Sequence, residues 1–112
     1  MRIAMPVVNG RLSMHFGHAG EFALVDVDEE RKTVLRKELV PAPQHEPGVL
    51  PRWLQAEGVH VVITGGMGRR AQDLFEQAGV RIVTGAPCDE PETLAVAYLN
   101  GTLKAGPNVC DH

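Results

Sequence analysis

The amino-acid sequence predicts a three-layer α/β domain in the order βββαβαβα, and three observations carry that expectation. Two apolar runs flanking the charged Glu29-Glu30-Arg31-Lys32 predict a β-hairpin in the front half. The back half twice alternates a short β-branched run with a helical pattern, and the right-handed crossovers of such βα units make their strands parallel, so the sheet is mixed. A chain of 112 residues, 44% apolar and 22% charged, is long enough for one packed core and too ordinary in composition for disorder.

Taken in order, Arg2 to Val8 is short, apolar and followed by Asn9-Gly10, the pattern of a strand ending in a turn. Glu21 to Asp28 and Thr33 to Val40 are the arms of the hairpin. The second arm alternates poorly and is charged, which places it at or near a sheet edge, where charge discourages further pairing. Pro41 to Pro47 is proline-rich and reads as a loop. A first helix is expected over Val49 to Glu57, with Pro51 in its first turn, Leu50, Trp53 and Leu54 on one face, and Gly58 as its stop. Val59 to Thr64 is β-branched and almost fully apolar, as in a strand buried on both faces inside a parallel sheet. Gly65 to Gly68 leads into a helix over Arg69 to Ala78, where Ala71, Leu74, Phe75 and Ala78 share one face. Val80 to Thr84 is the last strand and Gly85 to Cys88 its exit loop. The last helix is expected to start with Asp89 as cap and Glu92 three positions on, and to stop at Gly101. The domain thus spans residues 1–101, and 102–112 is expected to be a flexible tail.

Composition excludes several functions. Fourteen acidic against 11 basic side chains give a net charge of −3, the wrong sign for sequence-independent nucleic-acid binding. Three Phe, one Trp and one Tyr leave little for base stacking. No stretch approaches the roughly 18 apolar residues of a membrane span. Two cysteines, Cys88 and Cys110, make no disulfide framework, and with no basic, apolar leader the expected compartment is the reducing cytoplasm.

In open α/β sheets, ligands gather outside the carboxyl ends of the parallel strands. The loops Asn9 to Gly20, Thr64 to Arg69 and Gly85 to Asp89 leave from those ends. With the first strand beside the Val59 to Thr64 strand, they bring His15, His18, the Gly65 to Gly68 backbone and Cys88 together. Gly65-Gly66-Met67-Gly68 opens a helix, where outward N–H groups favour an anion, and Arg69 and Arg70 add positive charge. It matches neither dinucleotide nor P-loop spacing, and the same glycines would serve a tight turn and close helix packing. His15-Phe16-Gly17-His18 offers imidazoles suited to transition metals; the alternative is a turn in which Phe16 plugs the core and the histidines bond the backbone. Cys88 precedes a helix start, which favours its thiolate as a metal ligand, or it is a small buried filler. Cys110 and His112 read as an auxiliary metal hook or as plain tail, His45 as a surface residue and His60 as a structural one. No local Ser/His/Asp or Cys/His signature supports catalysis. Asp26 and Asp28 share an exposed strand face without a third acidic partner for Mg²⁺.

Together, Arg2-Ile3-Ala4-Met5-Pro6-Val7, His15-Phe16-Gly17-His18-Ala19 with Phe22, Gly58 through Gly68 and Ala78-Gly79-Val80 resemble the dinitrogenase iron-molybdenum cofactor biosynthesis family, of the NifX and NifB C-terminal type, including orange-protein-like stand-alone members. The resemblance implies a ribonuclease H-like fold with a mixed five-stranded sheet. It also implies a non-enzymatic protein that binds or carries an iron-molybdenum cofactor precursor, an iron-sulfur cluster or a molybdenum-copper sulfide cluster, with no nucleotide. By position it points to His15 and the Gly65 to Gly68 loop; His18, Met67, Arg69 and Cys88 are added from loop placement. Cluster donor and acceptor proteins are the expected partners, with the chain a monomer or weak homodimer and no nucleic acid or membrane involved. Two further readings are an anion- or nucleotide-binding regulatory module built on the glycine loop and, on fold analogy alone, a metal-dependent nuclease.

Overall fold

Two apolar layers enclose a mixed six-stranded sheet in the computed structural model, which describes residues 1–43 and 48–106 and, at His18, the backbone alone. In chain order the elements are β1 Arg2–Val8, β2 Arg11–Leu12, a single 3₁₀ turn at Phe16–His18, β3 Glu21–Asp28, β4 Thr33–Pro41, α1 Val49–Ala56, β5 Val61–Ile63, α2 Arg69–Gln77, β6 Arg81–Val83 and α3 Pro91–Asn100. The strands lie in the order β4-β3-β1-β5-β6, with β2 paired to β1 off this path. β1 runs antiparallel to β2 and β3 and parallel to β5, and β5 is parallel to β6.

β1 alternates between the two layers. Ile3, Met5 and Val7 join Val25, Val27, Ile63, Leu94 and Ala95 under α3, while Ala4 joins Phe22, Leu54, Val62, Met67 and Phe75 under α1 and α2. Period-two alternation along the strand is the physical reason one segment serves both cores. β4 lies at the sheet edge as expected, mostly exposed, and the ladder to β3 is irregular between Asp26 and Val27.

The architecture is the predicted one, with three local differences. β2 makes a sixth strand where five were expected; two residues are too few to leave a periodic signal. β5 and β6 have three residues each, shorter than their apolar runs. The last helix begins at Pro91 with Glu90, not Asp89, in the cap position. Proline at the first helical position has no N–H to lose and a pre-set φ, so it fixes the start, while an Asp89 carboxylate oxygen accepts the Glu90 N–H at 2.8 Å. Among the described residues no helix is long and apolar enough to cross a membrane.

The carboxylates of β3 have structural work. Asp26 accepts from Arg2 Nε at 2.9 Å, and Asp28 caps the hairpin turn by accepting the Glu30 and Arg31 N–H groups. His60, just before β5, accepts the Arg2 backbone N–H on Nδ1 at 3.0 Å, the structural role expected of it.

Candidate functional site

At the carboxyl ends of β1, β5 and β6 the connecting loops are laced together by their backbones. Gly65 N–H donates to the Ser13 carbonyl at 3.3 Å, and Phe16 N–H to the Gly66 carbonyl at 2.9 Å. Gly85 N–H reaches Gly65 O at 2.8 Å, Ala86 N–H reaches Thr64 O at 3.2 Å, and Leu12 N–H reaches Asp89 O at 2.9 Å. The chain after α3 joins the same end: Gly106 N–H donates to Gly85 O at 2.7 Å. Gly85 has φ +76°, and a side chain there would run into the Gly106 backbone. The tail expected to be loose is thereby tied down as far as Gly106.

Phe16 anchors the first loop. It is 4% exposed and meets Phe22 and Phe75 edge-on, with ring centroids 5.5 and 5.6 Å away. Next to it, Ser13 Oγ accepts the His15 N–H at 3.2 Å and donates to the His15 carbonyl at 3.0 Å, so the backbone of His15 is fixed while its imidazole lies at the surface. The His18 backbone closes the 3₁₀ turn. Cys88 is an exposed free thiol on the loop beyond β6, next to the Asp89 carbonyl that Leu12 grips.

The glycine loop departs from expectation in two respects. Gly65 N–H is engaged by Ser13 and does not face an incoming anion. Met67 is fully buried among the residues of the α1 and α2 layer, so its thioether is withdrawn into the core. A chain entering a helix from a buried strand must seal the core beneath its first turn, and Met67 does this. What remains at the surface is Gly68 with Arg69 and Arg70, in a helix start that has no acidic residue. The surface thioether is instead Met14, which the sequence reading missed. It is 40% exposed and lies directly over Gly65, where a Cβ would come within 2.7 Å of Met14 Cα and 3.1 Å of its Sδ. Gly65 is therefore required for close packing of two loops, a reason invisible until both are placed.

Cys110, His112 and His45 lie outside the described residues. Among the described residues no group of three His, Cys, Asp or Glu side chains is placed to hold a metal ion. The loops supply separate exposed donors, an imidazole, a thiol and a thioether, and the glycine loop leads into a helix start with two exposed arginines. Such a set suits a bulky, polarizable anion touched at several points better than a bare divalent ion needing a closed cage.

A family model described as dinitrogenase iron-molybdenum cofactor matches residues 1–101. The uncharacterized protein MJ0580 of Methanocaldococcus jannaschii is 29% identical over 109 residues, 93% of this chain and 90% of that protein. Among solved structures, PH0822 is 33% identical, with a TM-score of 0.85 and 94% of each chain covered. The apo form of the orange protein from Desulfovibrio gigas is 22% identical, with a TM-score of 0.73, covering 96% of this chain and 93% of that one, a likeness of fold.

Proposed function

The chain belongs to the dinitrogenase iron-molybdenum cofactor family, and on that premise we propose that it is a non-enzymatic carrier or accessory protein for an anionic metal-sulfur cluster. The cargo class is an iron-molybdenum cofactor precursor, an iron-sulfur cluster or a molybdenum-copper sulfide cluster, taken from a donor protein and passed to an acceptor in the cytoplasm. The observation that carries the reading is the laced loop end, where exposed His15 and exposed Cys88 belong to loops bonded to one another through their backbones and the glycine loop leads on to exposed Arg69.

In this reading His15 and Cys88 donate to the metal and Met14 offers the thioether first sought at Met67. His18, Gly68 and Arg69 line the cargo, and Cys110 and His112 are further donors. Sulfide-rich clusters are soft and negatively charged, so thiol, thioether and imidazole ligands with a nearby guanidinium match them. Few covalent ligands also suit release, which a carrier needs and a closed thiolate cage resists.

The test is reconstitution. Purified protein is incubated anaerobically with iron and sulfide, or with tetrathiomolybdate and copper, then desalted, and charge-transfer absorbance and metal stoichiometry are measured. Retention of one cluster class is expected, falling several-fold in His15→Ala and Cys88→Ser with the fold intact. Loss of all metal on desalting, or equal retention by the variants, would overturn the reading or the site respectively.

A further inference from the structure

Away from the loop end just described, the surface where α1 and α2 lie side by side carries two adjoining hollows that share Arg52. One, about 310 Å³, is bounded by Gly48, Arg52 and Gln55 from the α1 side and Arg70 and Leu74 from α2. The other, about 370 Å³, is apolar and formed by Pro43, Val49 and Trp53 beside the same arginine.

Charge is the unusual feature of the first hollow. Among the described residues no carboxylate lines it, and neither Arg52 nor Arg70 forms an ion pair. Both guanidinium groups belong to the N-terminal turns of their helices, whose first turns contain no acidic residue. A cation is disfavoured there by the positive end of the helix dipole. Gly48 makes the arrangement close: Arg52 Nη2 would lie 3.7 Å from a Cβ at that position. Two like charges on one cleft, each at the wrong end of its helix, are relieved by an anion between them. The guanidinium fork matches the oxygens of a phosphate or carboxylate, and Gln55 adds an amide donor. Beside this cationic pocket, Trp53, Pro43 and Val49 provide an apolar ledge, held from beneath by the edge-on contact of Trp53 with Phe22 at 5.5 Å.

We propose that the paired hollow between α1 and α2 is a second binding site, for a small organic anion whose phosphate or carboxylate sits between Arg52 and Arg70 and whose apolar part rests on Trp53. The site shares the α2 start, through Arg70, with the loop end described above but uses none of the metal donors or the lining residue Arg69 assigned to the cluster, so loss of cluster retention and loss of anion binding are read by different variants.

Trp53 is the single tryptophan of the chain and so reports on its own site. The full-length protein is titrated with phenyl phosphate, benzoate, inorganic phosphate and phenol while tryptophan emission is followed. A saturable change is expected with phenyl phosphate or benzoate, whichever anion the fork prefers, with about tenfold weaker binding of inorganic phosphate and of phenol, each lacking one half of the match. Arg52→Gln and Arg70→Gln should each weaken the better probe by about tenfold or more, as expected for losing a charge-assisted hydrogen bond. Both side chains are exposed, so thermal unfolding should be unchanged and a loss of binding is read directly. No saturable response to either aryl anion, phenol binding as well as they do, or parent-like binding by both arginine variants would overturn the proposal.

Discussion

The two halves of the sheet are held together by different means. In the antiparallel half, β3 and β4, of eight and nine residues, pair from Glu21↔Pro41 to Asp28↔Thr33, and a tight charged turn closes them. In the parallel half, β5 and β6 pair over three positions only, and cohesion comes from loop backbones that bond one another beyond the strand ends. The hairpin is held by a long ladder, with β3 also paired to β1, and none of the candidate donors lies on it. The parallel half needs its loops for structure, and the same loops present His15 and Cys88. Residues that hold and residues that display therefore alternate along the chain: Ser13 and Phe16 are buried on either side of exposed His15. Exposed donors can be removed without unfolding the domain, whereas their buried neighbours cannot.

The sharpest way to break that contrast is Phe16→Ala. If the loop is part of the core, truncation should cost about 3–5 kcal/mol, as for a large buried aromatic, read as a lower urea midpoint. Leu39→Ala on the edge strand, 45% exposed, should cost no more than about 1 kcal/mol. Equal effects would mean that the loop is only draped over the sheet. A smaller effect separates the buried and the exposed glycine of the loop before α2. Gly65→Ala drives a methyl into the Met14 backbone and should cost about 1–3 kcal/mol, while Gly68→Ala, with nothing within 4 Å and φ −66°, should stay within about 0.5 kcal/mol. Thermal melts of both variants decide whether Gly65 is fixed by loop packing or by turn conformation.

These contrasts also mark what was legible in the sequence. The long elements were, because period and punctuation report burial locally: both hairpin arms, the amphipathic face of α2 and the buried run around β5 are all where the pattern puts them. Convergence of the three loops followed from strand parallelism alone. Side-chain direction inside the loops did not, because it depends on contacts between segments distant in sequence. Met67 was expected at the surface and is buried, since its neighbours Leu54 and Phe75 come from two other elements. Met14 had no local signal, as only the approach to Gly65 reveals its place. β2 and the bond from Gly106 to Gly85 were likewise invisible, being short and made through the backbone.

The smallest effect concerns Arg2, one of several side chains that tie neighbouring elements together. Arg2 on β1 donates to Asp26 on β3 through Nε at 2.9 Å and to the Glu57 carbonyl at the end of α1 at 2.7 Å. The hydrogen bond from Arg2 holds the Asp26 carboxyl below its ordinary range, and the same pair raises Arg2. A carboxyl whose folded value is depressed gives its full stability above the unfolded value of about 3.9. As pH falls below that, the unfolded chain takes up the proton first, so stability declines until the folded carboxyl is protonated too. With side chains 30% and 31% exposed, the pair is screened and should contribute no more than about 1 kcal/mol at neutral pH. Urea midpoints of the parent and Asp26→Asn should therefore differ slightly at pH 7 and converge as the pH falls through the depressed folded value of Asp26. Persistence of the difference in acid would assign it to lost packing at the β1–β3 seam and not to the ion pair.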